Sequence, residues 1–356
     1  MSAEASGRSE AATGGPAPRG TAPEEVALEG ADSTKGAAKE EAASKEGAAK
    51  EEVASAAGAA EEQAVSAEGV ASAEGAAKER VAFGDAATAA LPPREAVADA
   101  RVRAPTRGNR RLERLLAAAN DDLQVKAWWH ASAVNATRRL GMSDHSWVHI
   151  QVVLNIALRL SRLLFRRGVV ASVVTDHGMG ERDAEIVIAA ACLLHCVGMS
   201  VHRSDHEAFS LFLAADKLPE LLEGIYEEPE RTIIVSEALH AIIGHRRSGE
   251  PFTVEAAIVR VADALDMARG RSRVPFESGR LNIHSLSAYA IEEVRLTPGS
   301  DKAVRVEIAM SNSAGIYQVD ELLATKLRGS PIEDHVEVIA RIDAEHEKRL
   351  IPVFRI

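Results

Sequence analysis

Cysteine is nearly absent from this chain of 356 residues, which contains only Cys192 and Cys196. The two cysteines are four residues apart in an apolar segment, so we expect both on one helix. A chain with so few cysteines has no disulfide framework, and a reduced, cytoplasmic protein is the better interpretation. A disulfide between these two residues would require a distorted helix and is not expected.

Long apolar runs and a secretory leader are also lacking. The first residues, MSAEASGRSE, are polar and contain no apolar core of a signal peptide. The longest apolar run, IVIAAACLL from Ile186 to Leu194, is too short to cross a bilayer. We therefore expect a soluble protein with no membrane partner.

Most of the chain has no excess charge of either sign. The net charge is −11, but residues 1–100 contain 19 acidic and 9 basic side chains and account for −10 of it. The remaining residues contain 34 acidic and 33 basic side chains. A general basic face for a nucleic-acid partner is therefore not indicated.

The first 95 residues contain one aromatic side chain, Phe83, and consist mostly of Ala, Glu, Gly, Ser and Lys. Such a segment cannot bury enough apolar surface to offset the entropy lost on ordering. Glycine recurs at positions 36, 47, 58 and 69, and this 11-residue period suits a helix with ~3.67 residues per turn. The repeats loosely resemble those of late-embryogenesis-abundant proteins. Because one glycine per unit weakens a helix, the sequence predicts a disordered, acidic, low-complexity tail over residues 1–100 that is helical only at times.

Apolar residues recur at helical spacing from about residue 109 onward. Asn109–Gly141 is expected to form one or two helices, and Ser143–Gly168 one long helix that Ser143 caps and Gly168 ends. Residues 101–275 are therefore predicted to form an all-helical domain. Its further helices are expected near Glu181–Cys196, Asp205–Ala215, Glu230–Gly244 and Val254–Gly270.

Residues 276–356 are predicted to form a small α+β domain. AVRVEIAM (Ala303–Met310) and HVEVIARI (His335–Ile342) alternate apolar and polar residues as strands do. We expect one helix between them, packed on a short sheet. The polar residues at 311–313 could form a ligand loop or a plain surface turn, and the domain could serve dimerisation or closure over a substrate. The helix expected between the two strands is indicated by apolar residues at helical spacing: Val319, Leu322, Leu323 and Leu327.

Four predicted helices carry a polar residue inside an apolar face: His149, His195, His240 and Asp263. One buried histidine on its own is usually a hydrogen-bonded core residue. A buried carboxylate is costly unless it is paired or bound to a metal. Three histidines and an aspartate from four helices can form a metal site in a helical bundle, and these ligands suit Fe, Mn, Zn or a similar metal.

Three segments, HIQVVLNIA, LLHCVGMSVH and VRVADALDMARG, occur in an order that resembles the HD-domain superfamily of metal-dependent phosphohydrolases. The family motif has a lone histidine, a His-Asp doublet at a helix end and a later aspartate. The resemblance covers roughly residues 140–275 and implies an HD-type helical bundle. By position, His149 matches the lone histidine, His195 the doublet histidine and Asp263 the last aspartate. Cys196 stands where the family has the doublet aspartate.

The resemblance implies a divalent metal (Mn, Fe, Zn or Mg) and a metal-activated water that attacks a phosphoester, with His195 and Asp263 as the catalytic residues. His149, His195 and Asp263 would hold the first metal. His206 and His240 match positions where two-metal members have further histidine ligands, and His245 is a weaker candidate of this kind. Arginines near the motifs could bind the phosphate or be ordinary surface residues: Arg203, Arg246, Arg271 and Arg273.

Cys196, as a metal ligand in place of aspartate, leaves three outcomes open. A thiolate is softer than a carboxylate and binds zinc at about 2.3 Å, against 2.0–2.2 Å for oxygen. The site could be lost, could retain one metal through the other ligands, or could become a tighter zinc site that hydrolyses slowly or not at all. Cys196 is not expected to be a nucleophile beside His195, because adjacent residues on a helix point about 100° apart.

The sequence therefore predicts a metal-dependent phosphohydrolase-like protein that acts on a nucleotide or another small phosphorylated compound. The alternative is a non-catalytic HD-type domain that binds a nucleotide or a metal as a sensor or scaffold. A homodimer is one expectation for its assembly.

Overall fold

The computed structural model describes residues 91–268, 283–342 and 353–355, all of which belong to one compact unit, Ala89–Ile356. A mainly helical chain with a small C-terminal sheet was predicted, and this prediction is confirmed. The repeats of the predicted tail lie outside the described residues, as do Arg271 and Arg273.

A bundle of helices forms the larger part of the unit. Its centre is a helix whose residues from Ile186 to Leu194 are all buried. Shorter turns occur at Pro93–Ala96, at Val134–Arg139 in the π conformation and at Val197–Ser200 in the 3-10 conformation. The longer helices are α1 (Arg110–Asp121), α2 (Leu123–Ala133), α3 (Trp147–Arg166), α4 (Ser172–His177), α5 (Glu181–Leu194), α6 (His206–Leu221), α7 (Glu230–Gly244) and α8 (Val254–Leu265).

Polar side chains fix where several of these helices begin. α3 begins at Trp147, because the hydroxyl of Ser146 accepts a hydrogen bond from the amide of Val148. The prediction of Ser143 as this cap is wrong, since the carbonyl of Ser143 accepts a hydrogen bond from His145 instead. The caps of α1, α2 and α8 are Asn109, Asp122 and Thr253.

The predicted helix ends differ in how well they agree with the structure. The prediction of Glu230–Gly244 agrees at both ends. α6 continues beyond the predicted end at Ala215, because Leu218 and Leu221 are buried. α8 stops at Leu265 instead of Gly270, and the following residue, Asp266, leaves the helix.

Two helical stretches, Trp147–Arg166 and Glu181–Ser200, are long and apolar enough to cross a membrane. In their most apolar segments of 18 residues, 56% and 89% of the residues, respectively, are buried inside the protein. These stretches are therefore core helices, which fits a soluble protein.

A four-stranded sheet follows the bundle, with its strands in sequence order. Its strands are β1 (Ile291–Pro298), β2 (Val304–Met310), β3 (Val336–Ile342) and β4 (Val353–Arg355). β1 and β2 pair antiparallel, β2 and β3 parallel, and β3 and β4 antiparallel. The two predicted strands, β2 and β3, are confirmed within one residue. The crossover between them contains the helical turns Gln318–Ala324 and Thr325–Leu327. One further helix, α9 (Ile283–Tyr289), directly precedes β1.

The sheet and the helices share one hydrophobic core. The inward side chains of β2, among them Val304 and Val306, belong to the same buried cluster as Leu158 of α3 and Val259 of α8. The Arg159 side chain of α3 also donates a hydrogen bond to a carbonyl of β1. The predicted domain boundary between residues 275 and 276 lies outside the described residues and stays a prediction.

Candidate metal centre

Five buried histidines converge where the ends of several helices meet. Each of them is at most 7% exposed. Their rings form a closed circuit in which neighbouring centroids are 5.1–6.2 Å apart. They are His145 before α3, His149 in its first turn, His195 directly after α5, His206 at the start of α6 and His245 directly after α7.

Oxygen acceptors fix the orientation of four of these rings. The Nδ1 atom of His149 lies 2.6 Å from Asp266 Oδ2, and that of His195 lies 2.8 Å from the carbonyl oxygen of Cys192. Because Nδ1 must carry a proton to donate to an oxygen acceptor, Nε2 is the ring atom that can offer its lone pair to a metal ion. The other two such contacts join His145 to the Ser143 carbonyl and His245 to the Ile242 carbonyl.

The Nε2 atoms of His149 and His195 lie 3.2 Å apart, and Asp263 Oδ1 lies 3.5 and 3.8 Å from them, respectively. Nitrogen ligands at 2.0–2.1 Å from a tetrahedral zinc ion are ~3.3–3.4 Å apart. Cys196 adds a sulfur donor beside the two histidines, since its Sγ atom and the ligand atoms of both histidines lie within 4.8 Å of one another. The spacing and chemistry of these donors fit a divalent first-row metal.

The charges around His195 favour a cation at this place. Burial by itself lowers the pKa of His195, but its electrostatic interaction with Cys196 and a hydrogen bond with Asp263 raise it to about 10. At neutral pH the imidazole is therefore protonated, and its Nε2–H can be donated to His149. A metal ion that binds here takes the place of this proton.

A second group of donors adjoins the first one. Ligand atoms of His206, Glu207 and His245 all lie within 4.8 Å of one another. Burial lowers the pKa of His206 to about 4 and that of His245 well below its usual value. Both imidazoles are therefore neutral at pH 7, which is the state that binds a metal.

The structure does not bring His240 into this cluster. Its ring is half-buried and stacks on Phe252 with 4.7 Å between the ring centroids. Its Nε2 atom accepts a hydrogen bond from the amide of Phe252 at 2.9 Å. The proposed role of His240 as a ligand is therefore corrected in favour of His245, which was the weaker candidate from the sequence.

Sequence reasoning missed four residues of the centre. Asp266 follows the predicted ligand Asp263 by three residues, and Glu207 directly follows His206. An acidic residue so close to a predicted ligand could have indicated both of them. His145 precedes α3 in a polar turn, where no periodicity marks it. Lys326, whose Nζ atom lies 2.6 Å from Asp263 Oδ2, is 63 residues further along the chain and gave no local signal.

The predicted phosphate-binding arginines differ in their distance from the centre. Arg203 reaches it, since its Nη1 atom lies 3.0 Å from Nδ1 of His206. Arg246 lies further out, 3.4 Å from the exposed carboxylate of Asp205. Arg203 is therefore the better placed of the two described candidates.

Gly198 allows the turn after Cys196 to lie directly on α6. Its amide donates a hydrogen bond to the hydroxyl of Ser210 at 2.9 Å. A Cβ atom at this position would overlap the carbonyl oxygen of His206 and lie 2.5 Å from the amide of Ser210. The glycine therefore holds His195 and Cys196 against the start of the helix that carries His206.

Replacing Gly198 with alanine is expected to destabilise the protein by about 3 kcal/mol or more, because the clashing atoms belong to the backbone and cannot turn away. Urea unfolding followed by circular dichroism measures this change. Gly180→Ala is the matched control, since its added Cβ would meet only Asp183 Oδ2 at 3.5 Å, an ordinary contact. Equal stability of the two variants would contradict the role assigned to Gly198.

Comparison with known proteins agrees with this geometry. The family model described as HD domain matches residues 144–268, which include His149, His195 and Asp263. The uncharacterized protein MJ1020 of Methanocaldococcus jannaschii is 36% identical over 222 residues, which are 62% of this chain and 86% of that protein. No solved structure matches the chain significantly. The chain therefore belongs to the HD-domain family.

Proposed function

We propose that this protein is a metal-dependent phosphohydrolase that acts on a nucleotide or another small phosphorylated compound. The observation that carries the proposal is the pair of Nε2 atoms of His149 and His195, 3.2 Å apart, with both Nδ1 atoms bound to oxygen acceptors. Two nitrogen donors held in this way beside the carboxylate of Asp263 are arranged to share one cation. The HD-domain family supports metal-dependent phosphohydrolysis as the class of reaction.

The first metal would be held by His149, His195, Cys196 and Asp263, and a second by His206, Glu207 and His245. A divalent metal of the Mn, Fe, Zn or Mg type would lower the pKa of a bound water and polarise a phosphoryl oxygen. The two groups adjoin each other, since the rings of His195 and His245 are 5.1 Å apart.

Other side chains prepare the site for this chemistry. Asp266 keeps the proton of His149 on Nδ1, as a carboxylate behind a metal-binding histidine does. Burial of the histidines excludes bulk water, which strengthens the attraction between charges inside the site. Arg203 and Lys326 supply positive charges that can bind an anionic phosphate.

Cys196 supports a second candidate function, a non-catalytic domain that binds a metal or a nucleotide as a sensor or scaffold. A thiolate is a softer ligand than the aspartate of the family motif and favours zinc over magnesium or manganese. A tightly held zinc ion with these ligands would serve binding better than turnover. We favour the hydrolase, because the other residues of the family motif are all present, with His149 and His195 buried and the Asp263 side chain 14% exposed.

Metal content and a substrate panel separate the two functions. The purified full-length protein is analysed for bound metals and assayed with phosphomonoesters and phosphodiesters after addition of Mn²⁺ or Fe²⁺. Turnover by the unmodified protein that is lost in Asp263→Ala supports the hydrolase. Bound metal without turnover, with activity gained in Cys196→Asp, supports the binding function.

Metal binding is expected to release at least one proton, because the raised pKa of His195, about 10, keeps its Nε2 atom protonated at pH 7.5. The apparent affinity for Zn²⁺ should therefore fall by about 10-fold for each unit of pH lowered below pH 9. Calorimetric titration in two buffers of different ionisation enthalpy counts the protons. Cys196→Ser is the control, since loss of the interaction with Cys196 should lower the pKa of His195 and reduce the release. Binding without proton release at pH 7.5 would contradict this account.

We also propose a cytoplasmic protein without a nucleic-acid or membrane partner. The near-neutral charge of residues 101–356 and the scarcity of cysteine support this proposal. A homodimer stays a prediction, which sedimentation of the full-length protein can test.

A further inference from the structure

Lys326 brings a positive charge from the α+β part of the chain into a centre otherwise built by the helical bundle. It lies in the helical turn Thr325–Leu327, on the crossover between β2 and β3. Its Nζ atom donates a hydrogen bond to Asp263 Oδ2 at 2.6 Å, and both side chains are largely buried, at 13% and 14% exposure. The residue lies outside the region that matches the family model, which ends at residue 268.

Hydrogen bonds from Arg260, a buried residue one helical turn before Asp263 on α8, hold the backbone of Lys326 in place. The Nε atom of Arg260 donates to the carbonyl of Lys326 at 3.1 Å, and Nη2 donates to the carbonyl of Thr325 at 3.4 Å. The same guanidinium also donates to carbonyl groups on both sides of His245: Gly244 before it, and Arg246, Arg247 and Gly249 after it. One side chain thus ties the crossover and the end of α7 together beside the centre.

The ammonium group of Lys326 influences both groups of donors. It is paired with Asp263, a donor of the first group, and its charge contributes to the lowered pKa of His245 in the second group, after the effect of burial and of His195. Asp263 offers two carboxylate oxygens, of which Oδ1 faces His149 and His195 while Oδ2 faces Lys326. An ion pair that shares a carboxylate with a metal competes with that metal for its negative charge.

We propose that Lys326 shares Asp263 with the metal. When the metal binds this carboxylate, the ammonium group of Lys326 binds the phosphate of the substrate instead. This proposal rests on the proposed function. A flexible stem with three donors on its ammonium group allows lysine to change partners without movement of the backbone, which Arg260 holds. The α+β part thereby contributes a residue for substrate binding to a centre that the helical bundle supplies.

The test uses full-length protein, first stripped of metal with a chelator and then titrated with Mn²⁺. Lys326→Met removes the charge and keeps most of the apolar stem, and Lys326→Ala serves as a second variant. Because the competing ammonium is gone, both variants are expected to bind Mn²⁺ about 10-fold more tightly than the unmodified protein. Inorganic phosphate is then titrated into the Mn²⁺-loaded proteins, where both variants are expected to bind it about 10-fold more weakly.

Arg328→Ala is the matched control. It removes one positive charge two residues further along the chain, from an exposed side chain that pairs with Asp320 at 3.6 Å. This variant is expected to change neither affinity, because surface ion pairs contribute little.

The outcomes distinguish this proposal from the proposed function. Unchanged affinities for Mn²⁺ and phosphate in Lys326→Met overturn the role of Lys326 alone. A Mn²⁺ affinity that rises without a loss of phosphate binding overturns its role toward the substrate. Failure of the unmodified protein to bind Mn²⁺, Zn²⁺ or Fe²⁺ overturns the proposed function and this proposal with it.

Discussion

Replacing Asp263 with alanine is expected to remove bound metal and to lower kcat/KM by more than about 100-fold, since even residues behind the direct ligands of a metal contribute 10–100-fold. The Oδ1 atom of Asp263 lies 3.5 Å from His149 Nε2 and 3.8 Å from His195 Nε2. Among the described residues, Asp263 is the one carboxylate that lies within 4 Å of both of these nitrogens. Metal analysis and steady-state kinetics with Mn²⁺ measure the two effects.

Two further variants of aspartate serve as controls for this experiment. Asp263→Asn keeps the shape of the side chain and its contact with Lys326, so loss of metal in this variant shows that the charge is required. Asp320→Ala removes an exposed carboxylate that pairs with Arg328 and should leave activity unchanged. An Asp263→Ala protein that keeps its metal and its turnover would contradict the proposed ligand set.

Replacing Cys196 with aspartate is expected to restore the doublet of the family motif and to raise turnover with Mn²⁺ by at least about 10-fold, because a hard oxygen ligand suits this metal better than sulfur. The opposite change is expected for Zn²⁺, whose affinity should fall when the sulfur ligand is lost. Kinetics with each metal, together with competition against a zinc chelator, measure the change in preference.

Cobalt provides a spectroscopic readout for Cys196 that does not depend on turnover. The Co²⁺-loaded protein should show a thiolate-to-cobalt charge-transfer band in the near ultraviolet, and Cys196→Ser should lose it. Cys192→Ser is the matched control, because Cys192 is as buried as Cys196. In the described part of the chain, its hydrogen bond with His195 involves the backbone carbonyl of Cys192 and not its sulfur. A band that persists in Cys196→Ser would show that the sulfur is not a ligand.

Local signals in the sequence predicted most of the helical bundle. α7 was predicted at both ends, because a proline and an apolar stripe mark its start and a glycine its end. The end of α8 was placed too late, since the periodicity continues beyond Leu265 and does not reveal that Asp266 turns away to bind His149. β1 was missed because its outer face is exposed and its alternation is broken at Glu292 and Glu293.

The centre was predicted as far as its residues lie on apolar helix faces or next to them. The structure places His149 and His195 next to each other, with Cys196 and Asp263 each near this pair. His240 was preferred over His245 as a ligand because it lies within the apolar stripe of α7, whereas His245 follows the end of that helix. Only tertiary packing places His240 on Phe252 and His245 among the buried histidines. Lys326 depends on a contact between residues 63 positions apart, and such long-range contacts leave no trace in a local pattern.

In the function proposed for this protein, the converging histidines, Cys196 and Asp263 hold a divalent metal. The most direct measurement is the metal content of full-length protein after removal of metal, reloading with Zn²⁺ or Mn²⁺ and dialysis, compared between the unmodified protein and Asp263→Ala. We expect at least about one equivalent of metal in the unmodified protein and a small residue in the variant. Absence of metal from the unmodified protein, or equal amounts in both, would contradict the account.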